Sequence, residues 1–115
     1  MPISFQNIIW DQIEKVEYPG EKGTSFWQTL YFEDLRLRMV TYSAGYRADH
    51  WCNKGHIVHC VQGSFISKLN TGQSVTLQEG QTYIVSDNTS YHLSFTEEGA
   101  KLFIIDGAFL ANREV

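Results

Sequence analysis

From Ser25 to Ile105 the chain is a succession of short segments in which apolar and polar residues alternate, each closed by a turn signal. This period-two pattern most constrains the fold, because a strand places successive side chains on opposite faces and only a sheet buries one of them. Phe26 to Phe32 and Leu35 to Tyr42 form a predicted hairpin around Glu33-Asp34; in the second strand Leu35, Leu37 and Met39 alternate with Arg36 and Arg38. His56 to Gln62 and Ser64 to Leu69 are read as strands separated by a turn or bulge at Gly63. Asn70-Thr71-Gly72 turns the chain into Ser74 to Leu77, and Thr82 to Val85, Tyr91 to Phe95 and Lys101 to Ile105 follow, with turns at Glu79-Gly80, Ser86 to Thr89 and Glu97 to Gly99. So many short strands with almost no helix predict an all-β domain, closed or double-sheeted.

With 115 residues there is room for one core. The hydrophobic fraction of 43% and the aromatic fraction of 14% suit a globular sheet protein and exclude a disordered one. Before the sheet, Ile8, Ile9, Trp10 and Ile13 suggest a short helix, with Asp11 and Glu14 at capping-box spacing. Tyr18 to Gly23 then reads as a turn-rich entry. The expected organisation is an N-terminal helix and turn over residues 1–23, a barrel over 24–106 and a tail over 107–115.

A net charge of -4 without any basic run excludes a nucleic-acid binder, which needs cations to displace phosphate counterions. No apolar run reaches membrane-spanning length and the start has no secretory pattern, so no membrane partner is expected and the default compartment is the cytoplasm. In that reducing setting Cys52 and Cys60 are expected as free thiols.

Chemistry concentrates between Ala48 and Gly63, which hold three of the four histidines and both cysteines. If residues 49–52 are a strand, His50 and Cys52 face one way, and the Asn53-Lys54-Gly55 loop returns His56 beside them. His92, on a later strand, is the fourth candidate. Three imidazoles and a thiolate suit Zn, Fe, Ni or Cu and do not suit Mg or Ca, which prefer oxygen. The competing account is structural: a buried cysteine behaves as a small hydrophobe, and a strand histidine commonly satisfies a core hydrogen bond. His59, on the opposite face from His56, is read that way.

The stretch Asp49-His50-Trp51-Cys52 resembles that of the DHCW-motif subgroup of cupins, small double-stranded β-helix barrels of jelly-roll type. Counting back from Gly63, His56 falls where the first cupin motif has its glutamate, Cys52 on its second histidine and His50 on its first. Gly45 lies one residue from the motif's opening glycine. Gly80 to His92 is similar to the second motif, with Ser86 for its proline, Asn88 for its glycine and one residue more before His92. The resemblance implies a cupin barrel with a divalent transition metal held by His50, Cys52, His56 and His92, a small-molecule ligand or substrate, and a homodimer. A binding or sensing barrel lined by Val58, Cys60, Phe65, Leu69, Val75 and Leu77 is the non-catalytic alternative. A third reading makes Cys52 a thiol activated by His50 and His56.

Overall fold

The computed structural model describes residues 2–111. Eight strands follow in order: β1 (Val16–Pro19), β2 (Thr24–Phe32), β3 (Leu35–Tyr42), β4 (His56–Leu69), β5 (Ser74–Gln78), β6 (Thr82–Val85), β7 (His92–Phe95) and β8 (Ala100–Gly107). All pair antiparallel in the order β1-β2-β3-β8-β4-β5, with β6 and β7 also on β4. The all-β class and the β2-β3 hairpin are as the alternation predicts, with Phe32 opposite Leu35. Among the described residues no helix is long and apolar enough to cross a membrane.

β4 organises the barrel by belonging to two sheets. Its first half pairs with β8 and β6, its second half with β5 and β7. The crossing is made at a bulge between Cys60 and Gln62, followed by Gly63 at φ 77. A side chain at Gly63 would suffer twice: the left-handed conformation disfavours a Cβ, and that atom would lie 2.4 Å from the carbonyl oxygen of Gly99. The extra residue also shifts the phase of the strand. His56, Val58 and Cys60 are buried before the bulge, Phe65 and Ser67 after it. Inward positions are therefore even-numbered first and odd-numbered afterwards, which is why one strand reads in the sequence as two.

Between the sheets Val40, Val58, Cys60, Phe65, Leu77, Ala100, Leu102 and Ile104 form the core. Full burial of a side chain the size of Phe65 or Leu102 is worth about 1.5–3 kcal/mol. Val75 and Leu69, also expected inside, are more open; Val75 is 36% exposed and Leu69 half-buried. On β3 the inward face is that of Val40, Arg38 and Arg36, while Leu37 and Met39 lie on the other face, half-buried.

The expected N-terminal helix is only a 3-10 turn, Trp10–Gln12. Three residues give too little return for the cost of helix nucleation. The backbone here is committed elsewhere: Gln28 Nε2 donates to the carbonyls of Trp10 at 2.6 Å and Ile13 at 3.0 Å. Trp10 meets Phe103 edge-on at 6.0 Å, which seats the turn on the outer face of β8. Within the stretch expected as helix and entry turn, Val16–Pro19 is a strand, β1, paired with β2. At the other end Ala108–Leu110 forms a second 3-10 turn with Leu110 buried; the rest of the expected tail, 112–115, lies outside the described residues.

Candidate metal centre

Cys52, His56 and His92 are brought together by backbone pairing around one loop. Cys52 and His92 form an isolated antiparallel bridge, with Cys52 N donating to His92 O at 2.8 Å and His92 N to Cys52 O at 2.9 Å. Four residues earlier, Ala48 N donates to the carbonyl of Ser94. Three residues on one segment, 49–51, thus face one on the other, Leu93, so residues 49–51 bow outwards. The expected strand over residues 49–52 is absent, and His50 leaves the cluster: its side chain is 76% exposed, with Nδ1 2.6 Å from Asp49 Oδ1, at the cavity rim.

His56 enters as the first residue of β4. The turn before it is clamped to the β6-β7 loop: Gly55 N donates to Asp87 Oδ1 at 2.6 Å, and Asn53 Nδ2 to Asn88 Oδ1 at 2.7 Å. Gly55 is needed for closeness, since a Cβ there would sit 2.6 Å from the backbone nitrogen of Asp87. One ligand atom from each of Cys52, His56 and His92 lies within 4.8 Å of the others. Cys52 Sγ and His56 Nε2 are 3.7 Å apart, and the His56 and His92 rings meet edge-on at 5.5 Å. A tetrahedral ion at ordinary Zn–S and Zn–N lengths would set a sulfur–nitrogen edge of about 3.6 Å, so the first pair needs almost no adjustment.

The donor chemistry fits an ion as well. His92 Nε2 is buried without a hydrogen-bond partner, a costly state for a ring nitrogen unless something else binds it. Burial pushes the Cys52 thiol up, but hydrogen bonding from His56, the nearby His92 ring and the Lys54 backbone N–H outweigh it and bring the pKa down to about 5. The Lys54 amide lies 3.4 Å from the sulfur. Cys52 is therefore a thiolate near neutrality, the form that binds metals. Cys60, fully buried in the core, is pushed the other way by its burial. His59 is outside the cluster, with Nδ1 2.8 Å from Thr82 Oγ1.

Behind His56 stands Asp106 on β8. Its Oδ2 lies 3.2 Å from His56 Nδ1 and accepts from Arg36 Nη2 at 2.9 Å and Arg38 Nη2 at 3.0 Å, while Oδ1 accepts from Arg36 Nε at 3.0 Å. A carboxylate between two guanidiniums can only accept, so Nδ1 of His56 carries the proton and Nε2 faces Cys52. Burial raises the Asp106 carboxyl, but His56, Arg36 and Arg38 hold it well below the usual carboxylate range. This is the carboxylate–histidine arrangement that fixes the tautomer of a metal ligand. Nothing in the sequence pairs Asp106 with His56, 50 residues earlier; the Arg36-x-Arg38 pair is visible in the alternation, but only the fold turns it inward against that carboxylate.

These groups open on a cavity of about 180 Å³ whose wall includes Trp27, Arg38, Tyr42, Tyr46 and Tyr83. Burial raises the pKa of all three phenols, so they are neutral hydrogen-bonding groups. The volume is below that of pockets for drug-sized ligands, roughly 300 Å³ upwards, and suits a small molecule.

An antiparallel barrel whose β4 is shared between two sheets has the cupin architecture, and solved structures bear the fold out. An RmlC-like cupin from Shewanella frigidimarina superposes with a TM-score of 0.72 over 96% of this chain and 95% of its own, at 18% identity. Ectoine synthase from P. lautus gives 0.73 over 90% and 78%, at 13% identity, and a cupin-superfamily sugar phosphate isomerase from Silicibacter pomeroyi 0.70 over 89% and 75%, at 14%. No protein-family model matches the chain, and no curated protein matches it in sequence.

Proposed function

We propose that this protein is a metal-binding cupin whose Cys52, His56 and His92 hold one divalent transition ion, Zn, Fe, Ni or Cu, and that a small molecule reaches the ion from the barrel cavity. The observation that carries the reading is the convergence of three ligand atoms within 4.8 Å, one of them a buried nitrogen with no other partner. Three protein ligands with an open fourth position are the arrangement of catalytic sites, whereas structural sites are closed by four. When bound, the ion would supply Lewis-acid polarisation or an activated water. The chain's own residues have separate tasks: Cys52 and the two imidazoles bind, Asp106 holds the His56 tautomer, and the phenols lining the cavity orient a guest and exclude bulk water. Two of the similar structures are named as enzymes, a synthase and an isomerase; their reactions differ, and fold does not select between them.

Elemental analysis of the purified protein tests the reading, alongside Cys52→Ser, His92→Ala and His50→Ala variants. About one equivalent of metal is expected in the native protein and in His50→Ala, with loss in the other two. Absence of metal after reconstitution under reducing conditions would refute the proposal and leave a barrel that holds its ligand by hydrogen bonds alone.

A further inference from the structure

Two buried side-chain nitrogens lack a partner among the described residues, His92 Nε2 and Arg38 Nε, and both residues line the same cavity. The first belongs to the metal cluster; the second does not. The Arg38 side chain is 5% exposed, its Nη2 is spent on Asp106 at 3.0 Å, and its guanidinium lies over the Trp27 ring at 4.5 Å from the centroid. Asp106 therefore fixes the plane of the guanidinium and Trp27 covers its face, while the Nε–H is left unpaired. A buried charged donor without an acceptor is unfavourable, and a planar guanidinium held in place is a ready receptor for a flat or tetrahedral oxyanion.

The surrounding charge points the same way. Arg36, Arg38 and Lys54 line the cavity, and no described carboxylate does. Asp106, behind them, offsets only one of the two arginines, and Lys54 has only a 3.6 Å approach to Asp87. A chain that is acidic overall thus gathers three cationic side chains at its interior cavity, where the Cys52 thiolate is the one anionic group among the described lining residues. We propose that the cavity takes a small molecule bearing an oxyanion group, a carboxylate or a phosphate, which accepts from Arg38 Nε while the rest of the molecule lies towards Cys52, His56 and His92. Only the last clause rests on the metal reading; the anion subsite stands on Arg38 and the charge of the wall.

The test titrates malonate, inorganic phosphate and the neutral isostere malonamide into metal-loaded and chelator-treated protein, with metal content measured in each. Binding is followed by calorimetry and by tryptophan emission, to which Trp27 against Arg38 is the built-in reporter. At least one anion is expected to saturate in both forms, with malonamide about tenfold or more weaker than malonate if the carboxylate is the group bound, and Arg38→Lys weakening the anion by about tenfold. Which anion binds distinguishes carboxylate from phosphate. Failure of both anions to bind below about 10 mM, or an Arg38→Lys protein with native circular dichroism and unchanged affinity, would overturn the proposal. If Arg38→Lys does not fold, the wild-type comparison decides: malonamide as tight as malonate with no response to phosphate overturns the subsite. Retained metal without anion binding refutes this inference alone, and anion binding without any metal refutes the metal reading alone.

Discussion

Replacing Asp106 by asparagine removes one charge from a buried cluster of four groups and keeps its shape. Asp106 is 3% exposed and Arg38 4%, so the variant strands guanidinium charge inside the barrel. Deleting one partner of a buried ion pair costs about 3–5 kcal/mol. The lower end applies here, because Asn retains one acceptor oxygen and Arg36 is partly open to water, with 24% of its side chain exposed. A loss of about 3 kcal/mol is a large share of the roughly 5–15 kcal/mol that holds a domain together. At roughly 4 °C per kcal/mol for a domain of this size, the midpoint should fall by about 12 °C.

The pH dependence separates charge from shape. Asp106 has a depressed folded pKa, so its stabilisation is complete above the unfolded value of about 3.9 and is lost as pH falls below it. Burial lowers the His56 pKa, but Asp106 and Cys52 raise it further. Its stabilisation is therefore complete below about 6.5 and fades as pH rises through the higher folded value. In metal-free protein the gap between wild type and Asp106→Asn should be widest between about pH 4 and 6.5 and narrow on both sides. Urea unfolding at several pH values measures it, and metal titration should show about 10–100-fold weaker binding, since Nδ1 of His56 loses its fixed acceptor. A variant within about 0.5 kcal/mol of wild type, or a gap that grows below pH 4, would refute the assignment of Asp106 as the charge that organises the site.

Alkylation of chelator-treated protein should reach Cys52 first, with a rate that rises tenfold per pH unit up to about 5 and then levels off, as its depressed pKa requires; Cys60, fully buried, should stay unmodified in folded protein. A Cys52 rate still climbing at pH 8, read by peptide mass mapping, would contradict this. Gly55→Ala drives a Cβ against the Asp87 nitrogen and the Val85 carbonyl, so the denaturant midpoint should drop by about 1–3 kcal/mol in free energy and metal affinity should fall with it. Leu102→Ala, at a core position 1% exposed, should cost about 2–5 kcal/mol while leaving the metal stoichiometry near one; simultaneous loss of metal would mean that the core and the site are not separable.

The sheet was legible because alternation and turn residues are local signals, and a two-residue polar turn between two apolar runs leaves little choice but the β2-β3 hairpin. Alternation does not say which face is inside. On β3 the arginines point inward because β8 brings Asp106 opposite Arg36, a pairing of residues 70 apart that no window of sequence contains. The same limit governs the metal cluster. Cys52, His56 and His92 could be proposed from donor type and spacing, but the place of His50 depended on whether residues 49–52 continue a ladder. That ladder is interrupted because Ala48 pairs with Ser94 and Cys52 with His92, so the intervening residues bow out and carry the imidazole to the rim. A bulge of this kind is decided by the partner strand. The N-terminal segment failed for a related reason: its apolar spacing fits a helix, yet Gln28 and Phe103, both on strands formed later in the chain, hold it as a single turn. Where a residue's role is set by its neighbours along the chain the sequence is sufficient, and where a distant strand sets it, as at His50, Arg38 and Asp106, the geometry of the barrel has to be known.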